Sequence, residues 1–372
     1  MTTERRRFIA TAGGAVVAAA AAAVVDAPNV IAQPKVQWRM STAFAPALDW
    51  HQGVAERLAK VVDETSGGRF RIEVFPGGQI MEPFDCFAAA SRGNIEAFMG
   101  GSYYWTAPGR PVEKEPAAEW FSTVPFGMNV EGMTAWFQQS DGLKLWEETY
   151  APFNLVPRPG PGVAPQMAGW FRKKMNSIGD YKGLRMRIGT GLGGLVYVKA
   201  GGTAAVTPGG DIYSALERGV VDAAEWVGPH DDMKLGLHRT ARYYYYPGWH
   251  EPGTMTEFVF NKKAFEGLPA ELRRILDHAT VAVQVYGLSD YHAKNAMALD
   301  RLKTDFKGKV EIIQLPVPVL RDLKKLSAEV VREESEKTPM ARKVHASYTK
   351  FQALVGPWDH VAEGAYHQFV AQ

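Results

Sequence analysis

A nine-residue pattern that occurs twice, 126 positions apart, constrains the fold of this chain more than any other feature. Residues 89–97 and 215–223 each run from the end of a helix through an Arg-Gly pair, two further residues, an acidic residue and an alanine into an apolar strand. Glycine directly after a helix suits the left-handed conformation that ends many helices. Two lobes of about 120 residues, a common domain size, would generate such a repeat.

Strands and helices alternate around the repeat, which predicts an α/β fold. We predict strands at residues 36–42, 70–75, 95–99, 170–173, 184–188, Thr207 and 223–227. Helices are predicted at residues 48–66, 83–92, 191–200 and 210–218. This order is typical of a parallel sheet with helices on both faces. Ligands bind such folds at the carboxyl ends of strands, so we expect a cleft formed by residues 100–104 together with Glu225 and Trp226.

The last hundred residues are predicted to be mostly helical. A long helix without proline spans residues 271–302, and a strand is predicted at 309–315. Three further helices are predicted at residues 324–338, 340–355 and 358–370. We expect this C-terminal region to form an outer casing and to offer a surface for self-association.

The N terminus has the parts of an export signal. Arg5, Arg6 and Arg7 precede a small apolar run at residues 10–25, and small residues lead to Ala32. The paired arginines favour the twin-arginine route over the general one. The alternative is a retained membrane anchor, although the run is short against the ~20 residues needed to span a bilayer. We therefore predict a twin-arginine-type signal peptide at residues 1–32 and a mature protein in the periplasm.

Composition argues against several other classes of protein. The net charge is +2, and much of the excess comes from Arg5 to Arg7. A nucleic-acid partner usually requires a basic stripe, so none is expected. Cys86 is the single cysteine, so an intramolecular disulfide is excluded. Its apolar helical surroundings predict a buried, inert thiol.

The sequence contains one nucleotide-like motif and one acid-histidine cluster. Residues 189–194 look like a glycine-rich dinucleotide loop, but no suitably placed acid follows about twenty residues on, so no organic cofactor is expected. His230, Asp231 and Asp232 suggest a solvated helix start rather than a zinc site. A hard cation held by oxygen atoms remains open, because Gln166, Glu225 and Glu251 can supply such ligands.

Arg187 is the strongest candidate for binding an anion. On the predicted strand 184–188, Arg185 and Arg187 point to the same side, and Arg187 lies at the carboxyl end of the strand, just before Gly189, at the expected cleft edge. The guanidinium fork can hold a carboxylate through two parallel hydrogen bonds, which lysine cannot do. A surface ion pair is the alternative interpretation.

Several segments resemble one known family. They are GLRMRI at 183–188, ALERGVVDA at 215–223 and NKKAFEGLP at 261–269. Together, in this order, they resemble the DctP-type substrate-binding proteins of tripartite ATP-independent periplasmic (TRAP) transporters. QMAGWF at 166–171, Glu225-Trp226 and WHEPG at 249–253 are similar to the branch that binds 2-oxo acids.

The resemblance implies a two-lobed periplasmic binding protein fold. Each lobe would be a mixed, mostly parallel sheet flanked by helices, followed by a long helical C-terminal region. The lobes would be interleaved, with residues 33–158 and about 250–285 in the first, 159–249 and about 286–330 in the second, and 331–372 as C-terminal helices. This branch also dimerises through its C-terminal helices, which implies a homodimer.

The resemblance also implies roles for individual residues. Arg187 would bind the carboxylate of a small acid, most directly a 2-oxo acid such as pyruvate. Na+ or Ca2+ would bridge protein and substrate. The expected cation ligands are Gln166, Glu225, Trp226 and Glu251, and the other expected substrate contacts are Gln166, Trp226, Ser102, Tyr103 and Tyr104.

The implied function is capture of the acid and its delivery to membrane permease subunits, without catalysis. Lactate, another hydroxy acid or a dicarboxylic acid would satisfy the same residues. An exported enzyme acting on a small organic acid, with Glu225 beside His230, is the alternative from another class.

Overall fold

The computed structural model describes residues 35–189 and 191–370. From Gln37 onward the chain forms one compact unit. The predicted signal peptide at residues 1–32 lies outside the described residues, as does its alternative as an anchor. Among the residues described, no helix is both long enough and apolar enough to cross a membrane.

The described strands form two sheets. They are β1 (Val36–Thr42), β2 (Phe70–Phe75), β3 (Ala97–Gly100), β4 (Leu155–Gly162), β5 (Gly169–Phe171), β6 (Arg185–Arg187), β7 (Thr203–Ala205), β8 (Ala223–Ala224), β9 (Tyr243–Tyr246), β10 (Met255–Asn261) and β11 (Glu311–Gln314). The first sheet has the order β2-β1-β3-β10-β4, and the second has the order β11-β9-β5-β8-β6-β7. The chain returns to the first sheet through β10 after most of the second sheet is complete.

Both sheets are mixed. β1 runs parallel to β3, and β6 runs parallel to β7 and β8. The antiparallel pairings involve β10 with β3 and β4, and β5 with β8 and β9. The predicted α/β fold with two mixed, helix-flanked sheets is confirmed, but antiparallel strands contribute more than the strand-helix alternation suggested.

The described helices cover these sheets. They are α1 (Asp49–Thr65), α2 (Cys86–Ser91), α3 (Val130–Gln139), α4 (Gly142–Tyr150), α5 (Leu192–Lys199), α6 (Ile212–Glu217), α7 (Pro229–Lys234), α8 (Lys262–Glu266), α9 (Ala270–Thr304), α10 (Val317–Ser335), α11 (Pro339–Asp359) and α12 (Ala365–Val370). α9 has 35 residues and packs against α1 and β4 of the first sheet and against α7 of the second. The predicted boundary at about residue 285 therefore falls within one continuous helix.

The repeated segments form the same turn in both sheets. Gly93 and Gly219 have φ values of 78° and 72°, in the left-handed region that glycine adopts without strain. β3 and β8 follow these turns, and each lies between one parallel and one antiparallel neighbour. The repeat in the sequence therefore corresponds to a repeat in the fold.

Several predicted elements differ in detail. The strand predicted at Thr207 is wrong, because β7 ends at Ala205 where its pairing with β6 ends. The carbonyl of Thr207 instead accepts a hydrogen bond from Arg187 Nε at 3.2 Å. The separate helix predicted at 358–370 is also wrong, since α11 continues through a π-helical turn (His360–Gly364) into α12.

Cys86 is buried, as predicted, and burial raises the pKa of its thiol.

The sequence did not predict β4, β9 or β10. β4 contains three prolines, which normally argue against a strand. The prolines are tolerated because β4 lies at the edge of its sheet and pairs only with β10 among the described strands.

Candidate functional site

Arg187 lies at the end of β6 with its guanidinium buried. β6 pairs with β7 and β8, so Arg187 sits between Ala205 and Ala224. Arg187 Nη1 donates to Glu225 Oε1 at 2.6 Å and to the main-chain oxygen of Glu225 at 2.7 Å. Only 3% of Arg187 is exposed. A charge buried to this extent depends on a close partner, since removing the partner leaves it uncompensated.

Arg185, two residues earlier, forms the surface ion pair that the sequence left open for Arg187. Its Nη2 donates to Asp222 Oδ1 at 2.8 Å, and its side chain is 49% exposed. Arg187 in contrast places its Cζ 4.9 Å from the ring centre of Trp226, where an aromatic face attracts a cation. The two arginines of one strand therefore have different environments.

Glu225, His250 and Glu251 form a buried cluster beside Arg187. One potential ligand atom from each lies within 4.8 Å of the others. The main-chain N–H of Gly189 donates to Glu225 Oε1 at 2.6 Å, and His250 Nε2 lies 3.6 Å from Glu225 Oε2. Burial raises the pKa of Glu251 to about 7, and the charge of Glu225 adds to the rise. Burial would lower the pKa of His250, but Glu225 outweighs it and the net shift is upward.

Gln166 completes a set of oxygen atoms that suits a hard cation. Its Nε2 donates to Glu251 Oε2 at 2.6 Å, and Thr254 Oγ1 donates to the same oxygen at 2.7 Å. Gln166 Oε1 is buried and has no hydrogen-bond partner among the described residues. Carboxylate and amide oxygens are the ligands that Ca2+ prefers. The residues present therefore fit a cation, and Trp226 can add only its main-chain oxygen because its indole nitrogen is a donor.

Tyr103 and Tyr104 approach this cluster from the first sheet. Both lie on the 3₁₀ helix Ser102–Trp105, directly after β3. A Cβ on Gly189 would lie 3.1 Å from Tyr103 Cε2 and 2.9 Å from Glu251 Oε1, so only glycine allows this close approach. Burial raises the pKa of Tyr104, although the positive charge of Arg187 opposes the rise. The first sheet therefore contributes phenol groups to a site whose charges come from elsewhere.

Ser102 is also buried, but its hydroxyl bonds the neighbouring 3₁₀ helix Pro116–Phe121. Ser102 Oγ donates to the main-chain oxygen of Ala118 at 2.7 Å. Its single donor is therefore engaged, which leaves only its lone pairs for a ligand. Of the six predicted substrate contacts, Ser102 has the least support from the geometry.

The predicted solvated helix start at residues 230–232 is wrong. Asp231 and Asp232 are fully buried at the start of α7. Asp232 Oδ2 accepts from Trp170 Nε1 at 2.9 Å and from Tyr244 Oη at 2.7 Å. The sequence could not show this, because the donors come from separate strands. Burial raises the pKa of both aspartates to about 7.

His230 does not adjoin Glu225, contrary to the enzyme hypothesis. His230 Nε2 lies 2.9 Å from Asp49 Oδ1, and the imidazole near Glu225 belongs to His250. The sequence analysis missed His250, although it directly precedes Glu251 and therefore lay within a segment already singled out.

The glycines of the nucleotide-like motif at 189–194 serve internal packing. The main-chain N–H of Gly189 donates to Glu225, and Gly193 lies against His250.

The chain has clear relatives of known description. Bacterial extracellular solute-binding protein, family 7 (DctP), matches residues 40–338. The monocarboxylate 2-oxoacid-binding periplasmic protein of Nostoc sp. (strain PCC 7120) is 38% identical over 338 residues, covering 91% of this chain and 90% of the relative.

Solved structures agree with this relationship. A TRAP transporter solute-binding protein from Bordetella bronchiseptica RB50 has a TM-score of 0.86 and 36% identity, covering 91% of this chain and 97% of that one. It is a mixed-occupancy dimer with copurified calcium and picolinate in the active site versus an apo site. A TRAP periplasmic solute-binding protein from Pseudoalteromonas atlantica T6c, with bound sodium and pyruvate, has a TM-score of 0.85 and 34% identity, covering 90% and 99% of the two chains.

Proposed function

The chain belongs to the family 7 bacterial extracellular solute-binding proteins and is a TRAP transporter solute-binding protein, and on that premise we propose that it captures a 2-oxo monocarboxylate such as pyruvate together with Na+ or Ca2+. The resemblance found in the sequence is thus confirmed for the family. The acid would be delivered to the membrane permease subunits of the transporter. Family members are transport proteins, and the enzyme hypothesis finds no support in the position of His230.

The buried position of Arg187 is the observation that carries the proposal. Its Nε and Nη1 are held by Thr207, Glu225 and the stacked Trp226, so the guanidinium is fixed in one orientation. A fixed, desolvated guanidinium binds a carboxylate more strongly than a mobile surface arginine does, because its side-chain entropy is already lost. Arg187 would therefore neutralise and orient the carboxylate of the ligand.

Glu225, Glu251, Gln166 and the main-chain oxygen of Trp226 would hold the cation. Bound there, Na+ or Ca2+ supplies a positive charge that attracts the 2-oxo and carboxylate oxygens of the ligand. Glu225 would have two roles, since it bonds Arg187 through Oε1 and reaches His250 through Oε2. Tyr103 and Tyr104 would cover the ligand from the first sheet and exclude water, which strengthens the polar contacts beneath them.

Arg187→Ala tests the proposal, with Arg185→Ala as the matched control from the same strand. A ligand at one hundred times its Kd stabilises a protein by about 2.7 kcal/mol, which a thermal-shift measurement detects readily. We expect pyruvate with Ca2+ or Na+ to raise the Tm of the wild type and of Arg185→Ala, and to leave that of Arg187→Ala unchanged. An equal rise in all three proteins would refute the role of Arg187.

A panel of acids decides among the remaining ligands. Pyruvate, longer 2-oxo acids, lactate and dicarboxylic acids would be compared with and without each cation. A larger shift with lactate or with a dicarboxylate than with any 2-oxo acid would replace the proposed ligand class. Arg187→Lys adds a geometric control, because lysine keeps the charge but loses the planar fork.

We also propose a homodimer formed through the C-terminal helices. Large apolar side chains are exposed along the end of α11, the π-helical turn and α12, namely Leu354, Trp358, Val361, Tyr366, Phe369 and Val370. An exposed apolar stripe of this kind marks an interaction surface. Removal of residues 354–372 should convert a dimer into a monomer in light scattering, and a wild-type monomer would contradict the proposal.

Location and lobe boundaries complete the proposal. The family is extracytoplasmic, and we propose the periplasm as the compartment and residues 1–32 as a cleaved twin-arginine-type signal peptide. Replacement of Arg5, Arg6 and Arg7 by lysine should block export in a fractionation assay.

The interleaved lobes predicted from the sequence remain our interpretation, supported by the return of β10 to the first sheet.

A further inference from the structure

Two helices that belong to different sheets meet beside the candidate site. α1 packs on β2 of the first sheet, and α7 follows β8 of the second. His230 Nε2 of α7 lies 2.9 Å from Asp49 Oδ1 in the first turn of α1. Two residues further along α1, His51 Nδ1 lies 3.5 Å from Asp231 Oδ2 of α7. Two polar contacts therefore join one helix of the predicted first lobe to one helix of the predicted second lobe.

Asp49 supplies the charge at the exposed end of this contact. Its side chain is 45% exposed, against 14% for His230. Lys234 Nζ lies 3.9 Å from Asp49 Oδ2, and Lys294 on α9 adds a further positive charge. Burial would raise the pKa of Asp49, but the hydrogen bond from His230 and these positive charges outweigh it, and the net shift is downward. Asp49 is therefore ionised at neutral pH and attracts three side chains of the predicted second lobe.

The contact between His51 and Asp231 lies at the buried end. The side chains are 2% and 0% exposed. Burial lowers the pKa of His51 to about 3, so its imidazole is neutral. Burial raises the pKa of Asp231 to about 7, against the hydrogen bonds of Tyr291 and Trp226. Both side chains depend on the exclusion of water between α1 and α7, and separation of the two helices would hydrate them.

Trp226 connects this helix contact to Arg187. Arg187 Cζ lies 4.9 Å from the ring centre of Trp226, and the indole side chain bonds Asp231. A Cβ on Gly209 would lie 2.8 Å from Trp226 Cη2 and 3.1 Å from Leu48 Cδ1, so the residue before α1 also packs close to the indole. The guanidinium that would bind the ligand is thus linked through Trp226 to the contact between α1 and α7.

We propose that Asp49 of α1 and His230 of α7 form a latch that holds the two lobes closed over the ligand, with the buried contact of His51 and Asp231 beneath it. This inference rests on the proposed function and on the predicted lobes, since it assumes that an acid bound to Arg187 is enclosed when the lobes come together. A contact made only in the closed state stabilises that state. The ligand enters the open state, so the latch slows its release and leaves its association rate unchanged.

Asp49→Asn and His230→Gln test the latch at its exposed end and leave the buried contact in place. Partly exposed ion pairs contribute modestly. In stopped-flow measurements on the full mature protein with Ca2+, we therefore expect each variant to release pyruvate about three- to fivefold faster than the wild type. The association rate should not change. The double variant should release pyruvate about as fast as Asp49→Asn alone, because both substitutions remove the same contact.

Glu271→Gln is the matched control. Glu271 Oε1 lies 2.7 Å from Arg69 Nη2 in an ion pair that stays within the predicted first lobe, so this variant should release pyruvate at the wild-type rate. The Tm of the ligand-free protein separates a latch from a contact that only supports the fold. Asp49→Asn and His230→Gln should keep the wild-type Tm without ligand and lose part of the rise that pyruvate with Ca2+ produces.

The outcomes separate this inference from the proposed function. Wild-type release rates in Asp49→Asn and His230→Gln would overturn the latch and leave the proposed function intact. An equal fall in Tm with and without ligand would also overturn the latch, because the contact would then be present in both states. Absence of binding by the wild type to pyruvate and to every other acid tested would overturn the proposed function and the latch together.

Discussion

Glu257 and Glu225 are buried carboxylates close to the ends of the repeated strands β3 and β8, yet their environments differ. Glu257 on β10 lies opposite Gly100, the last residue of β3. Its two oxygens accept from Trp105 Nε1 at 2.5 Å and from Tyr150 Oη at 3.0 Å. Glu225 follows β8 and accepts from Arg187 and from the N–H of Gly189. A mostly protonated acid therefore adjoins the end of β3, whereas the acid after β8 forms an ion pair.

The difference shows that burial of an acid does not by itself create a binding site. Burial raises the pKa of Glu257 to about 8 despite its two donors, so it is mostly protonated at neutral pH and both of its oxygens are satisfied. Glu225 has a buried arginine, a second carboxylate and an unpartnered amide oxygen of Gln166 around it in the described structure. Uncompensated oxygens beside a fixed positive charge can bind an acid and a cation together.

The largest expected effect follows from replacing Glu225, the acid that is paired with Arg187. Glu225→Gln removes a cation ligand and leaves the buried Arg187 without its counter-charge, a loss that typically costs 3–5 kcal/mol. We expect the affinity for pyruvate to fall by about 100-fold or more and its dependence on Ca2+ or Na+ to disappear. Calorimetric titrations with the cation and with a chelator measure both quantities.

Asp222→Asn is the matched control for Glu225→Gln. It breaks the exposed ion pair with Arg185 on the same pair of strands, and such surface pairs contribute little. Its ligand affinity and cation dependence should stay at the wild-type values. Persistent cation dependence in Glu225→Gln would show that Glu225 is not a cation ligand.

Replacing Glu257, the mostly protonated acid, should affect the stability of the fold rather than ligand binding. The pKa of Glu257 is about 8 in the folded protein against an ordinary value of 4.5, so the folded state binds the extra proton between these values. Its contribution to stability is complete below about pH 4.5 and is lost as the pH rises through about 8, at about 1 kcal/mol per pH unit. Glu257→Gln should therefore flatten the decrease in unfolding free energy between pH 5 and 8, with little change in pyruvate affinity.

Urea unfolding at a series of pH values measures this slope. Glu73→Gln serves as the control, because Glu73 lies on β2 of the same sheet and is exposed. It should keep the wild-type slope. If Glu257→Gln unfolds with the same pH dependence as the wild type, Glu257 is ionised in the folded protein and the contrast with Glu225 fails.

Local patterns in the sequence predicted much of this fold. The alternation of strands and helices located β1, β2, β6 and β8. β1 and β2 show a clear apolar-polar period, and glycines bracket the segments that contain β2, β6 and β8. The strands β9 and β10 were missed. β10 is buried at all seven positions and β9 consists of four tyrosines, so neither shows the alternation of a half-exposed strand. Their presence depends on partners far away in the sequence.

The site was predictable in its residue types but not in its contacts. Arg187, with its position at a strand end, and the acids Glu225 and Glu251 were identified from the sequence and lie together. The contact between His51 and Asp231 was invisible in the sequence, since the two residues are far apart in the chain and come within 3.5 Å of each other only in the folded protein. Sequence periodicity reports which residues are buried, not which buried polar atoms share a space.

The smallest expected effect concerns the turns that precede β3 and β8. A left-handed alanine costs roughly 1–2 kcal/mol, and a Cβ would meet only Asn261 Nδ2 at 3.7 Å on Gly93 and Arg172 Nη1 at 3.4 Å on Gly219. Gly93→Ala and Gly219→Ala should therefore each lower the unfolding free energy by about 1 kcal/mol and leave the affinity for pyruvate unchanged, because neither turn touches Arg187 or Glu225. Urea unfolding and calorimetry check both. Loss of affinity in Gly219→Ala alone would mean that the second turn positions the ion pair, and that the two copies of the repeat differ in the turn as well as in the strand ends.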